Sequence, residues 1–479
     1  MVLLSGPGEI TLGYTGRTMR GAGLDRGTFM EGALRKWIVP QLSNPLLVIR
    51  DPVALLIYFY ALTAHVFPRN GWTLALVILG ALSTVATVVQ LFPYLPLKPI
   101  ALITIYGVHA NFFHLPLIFV MAEVLRPEDV KKFGWWILAI VIPMAVLMVA
   151  QFRAAPDAFL NRTAGGEGEM MLSALGKVRT AGPFSFVIGV VAYFGLASAY
   201  LLWGALRPGI YRTWLLSAAG AAMLVGIAVS GSRTVVSGCI LVLACLVVVF
   251  FLRREAVNRV GLALMIALPV AFIASRFAVF QEGVNVLSTR FNEVAEASEQ
   301  SMALGLLGRV YGPFVEAWQV LSKAPFLGYG LGIGTNVGAN ILTGHSVFLL
   351  TEDEPARIIL ECGPILGVAY VLLRLALAVW IGWMCLKAVR RGNLLPLFLF
   401  SSTCVSLVDG QFGQPTILGF AVFATGLTLA ALNAEREVIL TPGLPAGPPI
   451  KRVVRRSVFA ERLHGTPAVH APSHGPVDR

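Results

Sequence analysis

The sequence predicts an all-α polytopic membrane protein with about 11–12 transmembrane helices and one large extracytoplasmic loop containing helices. Three observations carry this. The 479 residues are 57% hydrophobic and only 13% charged, against about 25% charged in soluble domains. So greasy a chain cannot cover a water-facing surface. Apolar runs long enough to cross a bilayer recur along it, and Lys and Arg gather in every second connection, as cytoplasmic loops do.

Residues 1–45 form a polar N-terminal segment followed by an interfacial or partial membrane helix. Its apolar stretch, 27–42, carries Glu31, Arg35 and Lys36, charges that keep a helix near headgroups. The first part of the bundle, 46–277, holds spans at 52–67, 72–92, 100–125, 134–152, 183–206, 213–230, 235–252 and 259–277. The large loop is 278–356, and 357–432 completes the bundle with spans at 357–386, 394–411 and 414–432. Residues 433–479 are rich in Pro, Gly and basic side chains and read as a disordered cytoplasmic tail. Its basic run suits anionic headgroups as well as a plain solvated tail.

Lys131 and Lys132, Arg207 and Arg212, Arg253, Arg254 and Arg259, and Lys387, Arg390 and Arg391 orient their connections to the cytoplasm, together with the C-terminus. About eleven spans would then leave the N-terminus outside, against Arg17, Arg20, Arg26, Arg35 and Lys36. Either 27–48 makes a further pass, the preferred reading, or 100–125 is broken near His109-Ala-Asn111. The net charge of +12 follows this loop asymmetry and calls for no nucleic acid. The five cysteines have no metal-ligand spacing and read as small buried hydrophobes. No signal peptide, internal repeat, Walker motif or Rossmann fingerprint is visible, which argues against an ATP-driven pump.

Chemistry gathers on the outer connections. The loop 153–182 carries Arg153, Arg162, Lys177 and Arg179 against the charge trend, and ends at a helix start opened by Pro183. Arg179 beside that terminus suits phosphate, or it is an ordinary snorkelled cap. Arg233, in Ser230-Gly-Ser-Arg-Thr, stands at a tight turn among small residues, where a guanidinium can meet a ligand or simply end a helix. Residues 286–322 read as an amphipathic helical pair with Arg290 and Arg309 among apolar residues. The Gly-rich stretch 328–334 lacks the strand and helix context of a nucleotide loop and marks close backbone packing instead.

Beyond it lie His345, the acidic run Glu352-Asp353-Glu354, and Arg357 with Glu361. Arg357 and Glu361 share one helical face at a membrane mouth, where they pair or line a cavity. Three consecutive carboxylates beside lipid cannot all ionise comfortably, so one with a raised pKa would suit a general base; an interfacial acid cluster is the plainer alternative. His345 alone is weak evidence. His109, Asn111 and His114 put polar groups on one span, for a cavity or for interhelical hydrogen bonds. Arg374 reads as snorkelling to the inner headgroups.

Taken in order, Arg179…Gly182-Pro-Phe184, Ser232-Arg233, Arg309 with Trp318, Pro325-Phe-Leu-Gly328-Tyr-Gly330-Leu-Gly332 and Glu361-Cys-Gly363-Pro-Ile-Leu-Gly367 resemble the O-antigen ligase/polymerase superfamily of bacterial membrane glycosyltransferases. The resemblance spans residues 90–432, and Glu31–Trp37 with Arg50-Asp51-Pro52 resembles N-termini within that group. It implies an inverting, metal-independent enzyme of the bacterial plasma membrane, without cofactor. Such an enzyme transfers glycan from undecaprenyl pyrophosphate to a glycan or lipid acceptor on the outer face, alongside other polysaccharide-assembly proteins. Arg233, Arg309, Arg179 and Arg357 would bind pyrophosphate, with Glu361 orienting. The family's ligases carry a His-Asn pair where this chain has Glu352-Asp353. The base is then one of Glu352, Asp353 and Glu354, as in related polymerases, or His345 from a shifted loop. Two other classes stay open: a glycolipid or small-molecule transporter, whose mark would be repeats around broken midplane helices, and a non-catalytic assembly partner.

Overall fold

The computed structural model describes residues 34–38, 50–163, 172–252, 272, 275–298, 302–345 and 348–440. Among them the chain is helical throughout, and extended pairing is confined to an isolated bridge between Leu172 and Val178. The helices are α1 (Arg50–Thr63), α2 (Gly71–Leu91), α3 (Leu97–Val108), α4 (Leu117–Val124), α5 (Pro127–Arg153), α6 (Val187–Leu206) and α7 (Thr213–Val229). There follow α8 (Arg233–Leu252), α9 (Ala278–Ser298), α10 (Met302–Val320), α11 (Asn336–Thr343), α12 (Glu354–Arg391), α13 (Leu395–Asp409) and α14 (Pro415–Leu440). Two π-helical turns add to these, Leu34–Ile38 and His109–Phe113. The chain divides after Glu435 into a main unit, described below, and a C-terminal unit.

Seven stretches of described residues are long and apolar enough to cross a membrane: α2, Leu97–Val124, α5, α6, α8, α12 and Pro415–Asn433. Asp51–Thr63, Thr213–Val229 and Leu395–Asp409 are apolar but shorter. All of these coincide with spans read from the sequence. The expected span 259–277 lies almost wholly outside the described residues, as do most of 27–48 and the tail from 441. The surface agrees with the composition. On α2, Leu74, Val77, Ile78, Leu82, Val85 and Val89 are all exposed, an apolar face that suits lipid and not water. Among the well-enclosed helices is α6, with Val190, Phe194, Ala197 and Tyr200 fully buried between α8, α13 and neighbouring helices.

Two interruptions shape the interior. Leu97–Val124 is broken by the π turn and by His114-Leu-Pro116, the alternative break point foreseen in the sequence. A π turn carries one extra residue, and the missing register exposes side chains that an α-helix would stack. In α12, Gly363 takes φ 81° and ψ 170° ahead of Pro364. Pro364 has no N–H, so the Leu360 carbonyl loses its helical donor, and the bend displaces the donor of the Glu361 carbonyl. The Gly-rich stretch supplies both: Tyr329 N–H donates to Leu360 (2.8 Å) and Gly330 N–H to Glu361 (2.9 Å). Gly328 has to be glycine here. Its φ is +74°, and a Cβ would stand 2.2 Å from the Glu361 carbonyl oxygen. Leu331 N–H then reaches Thr87 Oγ1 on α2 at 2.9 Å. The stretch is a packing plug, as its lack of nucleotide-loop context suggested.

The segment after α8 folds as the expected helical pair, α9 and α10. Gly283 of α9 rests on the Ala228–Val229 backbone at the end of α7. Ala317 of α10 packs with Ala356 and Ile359 of α12. The π turn Leu34–Ile38 is pinned by Lys36, fully buried, whose Nζ donates to the Gly182 carbonyl. Gln151 holds Gly182 from the other side, accepting its N–H and donating to its carbonyl.

Candidate functional site

The first turn of α12 carries Glu354, Pro355 and Arg357, with Glu361 one turn on. Proline early and an acid in the first turn suit a helix start. Glu354, Arg357, Glu361 and Arg374 are all buried, at most 3% exposed, so each must find a partner of opposite charge. They do. Glu354 Oε2 takes Arg357 Nε (2.9 Å) and Nη2 (2.8 Å), and its Oε1 takes Arg374 Nη1 (3.2 Å) and the Phe412 N–H (3.3 Å). Arg357 Nη1 stands 2.7 Å from Glu361 Oε1, which also accepts the Gly334 N–H. Of the two readings of the i,i+4 spacing, pairing or lining a cavity, the pair is present. Arg357 Nη2 donates to Asn111 Oδ1 on the π turn at 3.3 Å. Two carboxylates balance two guanidiniums, so the network is neutral.

Arg374 corrects the sequence reading. It does not snorkel: it is 2% exposed, donates to the Leu407, Ser406 and Gly410 carbonyls, and covers the Phe412 ring at 3.9 Å. Glu354 and Arg357 were expected to act on substrate, as base and pyrophosphate ligand. Here their polar atoms are turned on one another inside the bundle.

Just outside this network stands a second carboxylate group. Asp353, half-buried at the cap of α12, shares a hydrogen bond with Glu316 of α10. That bond, burial and the charges of Glu316 and Glu352 push the Asp353 carboxyl up to about 6. The same bond, with one from the Thr351 hydroxyl, holds Glu316 below its usual value. Below about pH 6 the pair therefore holds one proton, with Asp353 as the acid and Glu316 as the carboxylate. Glu352 is exposed, and its carbonyl accepts from Gln411 Nε2. His345 is exposed after the left-handed Gly344, with its N–H on Thr343 Oγ1.

A third group is cationic. The segment 172–182 packs on the turn between α7 and α8: Ser173 Oγ donates to the Gly231 carbonyl (3.0 Å) and Thr180 Oγ1 to that of Val229 (3.1 Å). α9 lies on the same turn. These contacts bring Lys177 and Arg179 of the segment to α9, which carries Glu282 and Arg290, and half-buried Arg233 opens α8 directly after the turn. Lys177 pairs with Glu282 (2.8 Å) and Arg290 with Glu293 (3.0 Å). Burial first, then the Arg290 guanidinium, pushes Arg179 below the usual arginine range, partly offset by Glu293. The Nε atoms of Arg179 and Arg290 are both buried and without an acceptor. Two guanidiniums near enough to repel, each with an unfilled donor, suit an anion with several oxygens. Arg309 lies on α10, with its side chain outside the described residues.

Glu316 escaped the sequence reading because one acid on an amphipathic helix looks like a solvated face. Arg290 was noticed only as a charge among apolar residues; its neighbour Arg179 lies on a different element. No family model matches the sequence, and no curated protein matches it.

Proposed function

We propose that this protein is a membrane glycosyltransferase of the O-antigen ligase/polymerase type. It transfers or polymerises an undecaprenyl-pyrophosphate-linked glycan on the outer face of a bacterial plasma membrane. The observation that carries the reading is the approach of Arg179 to Arg290 with both buried Nε atoms unfilled. In this reading the chain makes about 11–12 passes. The segment 278–356 is its extracytoplasmic loop, and the C-terminus is cytoplasmic.

The reaction needs little beyond a cation cluster and a base. Arg179, Arg290 and Arg233 hold the pyrophosphate oxygens and take up the charge that grows as the bond from the sugar's anomeric carbon to phosphate oxygen breaks. Asp353, once its proton has left, accepts the proton of the acceptor hydroxyl, whose oxygen bonds to the anomeric carbon from the opposite face. The hydrogen bond with Glu316, then burial and the neighbouring charges, keep Asp353 basic. The buried α12 network fixes the backbone from which Asp353 projects.

Turnover in liposomes, with polyprenyl-pyrophosphate-linked oligosaccharide from the native host, tests this. Arg179→Ala and Arg290→Ala each lower kcat/KM by about 10²- to 10³-fold, and Asp353→Asn abolishes product while donor still binds. Release of no polyprenyl pyrophosphate by the wild type sinks the proposal. A transport reading draws on the two interrupted helices, which meet where Asn111 accepts from Arg357. Movement of intact glycolipid without cleavage in the same liposomes would favour it.

A further inference from the structure

We propose that Asp51, His109 and His114 form a binding site for one divalent transition-metal ion of the Zn²⁺ class, bracing α1 against the interrupted helix. One oxygen of Asp51 and one nitrogen of each histidine all lie within 4.8 Å of one another. His109 Nδ1 is 3.0 Å from Asp51 Oδ1, and His114 Nε2 is 3.6 Å from the same oxygen. Two ligands on a tetrahedral zinc, at about 2.0–2.1 Å each, stand about 3.3 Å apart. The two observed separations bracket that value.

The surrounding bonds favour a cation over a plain hydrogen bond. Asp51 Oδ1 is buried and accepts no hydrogen bond of acceptable geometry, although two ring nitrogens face it. A buried carboxylate oxygen left in that condition is costly unless a positive centre stands before it. His114 is also turned as a ligand should be. Its Nδ1 lies 3.2 Å from the His109 carbonyl, which places the proton on Nδ1 and leaves the Nε2 lone pair toward Asp51. A backbone carbonyl holding the far nitrogen is the usual support of a metal-bound imidazole. Tyr106 and Phe113 flank the His109 ring at 5.4 and 6.5 Å and fix its plane.

The π turn explains why the site exists. His109 and His114 are five positions apart, a spacing that an unbroken α-helix does not bring onto one point. The extra residue of the His109–Phe113 turn swings them together, with ring centroids 4.7 Å apart. Asp51, from the first turn of α1, supplies the third ligand. Two imidazoles and one carboxylate suit Zn²⁺, with a fourth position left for water. The sequence reading expected no metal. It weighed the two histidines without an acid that lies far upstream. The site is separate from the transferase reading, in which no step uses an ion.

The test uses the full chain in nanodiscs, stripped with chelator, titrated with Co²⁺ and Zn²⁺, and assayed by elemental analysis and by the Co²⁺ absorption spectrum. Wild type and the exposed control His65→Gln should each hold about one ion per chain with a tetrahedral spectrum. His114→Ala and Asp51→Asn should each weaken binding by at least about tenfold. Zn²⁺ should raise the wild-type melting temperature and leave both variants unmoved. Folded wild type that holds no ion in micromolar Zn²⁺ overturns the proposal, whatever the variants do. So does retention of the ion at wild-type affinity in both variants.

Discussion

Among the described residues, two groups of arginine are treated differently. Arg357 and Arg374 are buried with Glu354 and Glu361 in equal number, and backbone carbonyls and Asn111 fill further donors. Arg179 and Arg290 stand near each other on separate elements, each with a buried Nε that nothing fills. A buried charge met by opposite charge in equal number is architecture, even though Arg357 Nη1 and Glu361 Oε2 make no hydrogen bond of acceptable geometry. A charge left partly unanswered, beside another of its sign, leaves room for a ligand. The proposed function puts recognition at the 172–182, α7–α8 and α9 junction, and support at the head of α12.

The strongest way to break this contrast is to remove one partner from the answered group. Arg374→Met leaves Glu354 short of a counter-charge and should cost about 3–5 kcal/mol. It would be read as a fall in melting temperature and loss of monodisperse protein in detergent; a variant as stable as wild type would mean the network is not structural. Gly328→Ala comes next, at about 2–3 kcal/mol, because a Cβ meets the Glu361 carbonyl and strains a left-handed backbone. Both should lower stability before they alter specificity.

The unanswered group should behave in reverse. Arg179→Lys keeps the charge but loses the planar fork, and should lower kcat/KM about tenfold while leaving stability within about 0.5 kcal/mol of wild type, read from the thermal melt. Equal activity in the lysine variant would show that charge alone matters there.

The Asp353–Glu316 pair gives a pH signature. As a base, Asp353 titrates at about 6, so kcat/KM should rise through that pH. Glu316→Gln removes the neighbouring charge and should move the limb toward the ordinary carboxylate range; an unmoved limb would exclude this pair. The sign for stability is opposite. The folded chain keeps on Asp353 a proton that the unfolded carboxyl releases, so stability falls as pH rises from the ordinary aspartate value to about 6. Glu316, held low, contributes stability above its unfolded pKa that is lost as pH falls through its folded one. The smallest effect is Thr87→Val. It orphans the Leu331 N–H inside the bundle and should cost about 1 kcal/mol.

The helices were legible because bilayer length and apolar composition are local properties. Arg357 with Glu361 was legible for the same reason: one helical turn relates them. Arg374 was not, because its partner Glu354 lies across the Gly363–Pro364 break, and a straight helix points the two apart. Arg179 with Arg290, and Asp353 with Glu316, join separate segments, and no periodicity reports such pairs. The Gly-rich plug was readable as close packing but not as the donor set for a broken helix. That depends on the missing N–H of Pro364 in a distant element.

The plug also sets an order of events during biosynthesis. Thr87 Oγ1 meets the Leu331 N–H across 244 residues, and Asn111 Oδ1 meets Arg357 across 246. A ribosome that has delivered α1 to α8 into the bilayer has made neither partner. The nascent half therefore waits with Thr87 and Asn111 bonded only to carbonyls of their own segments, Ser83 and Gly107, and with their later partners still unmade. Chains stopped before Gly328 should be read by membrane quality control as unfinished.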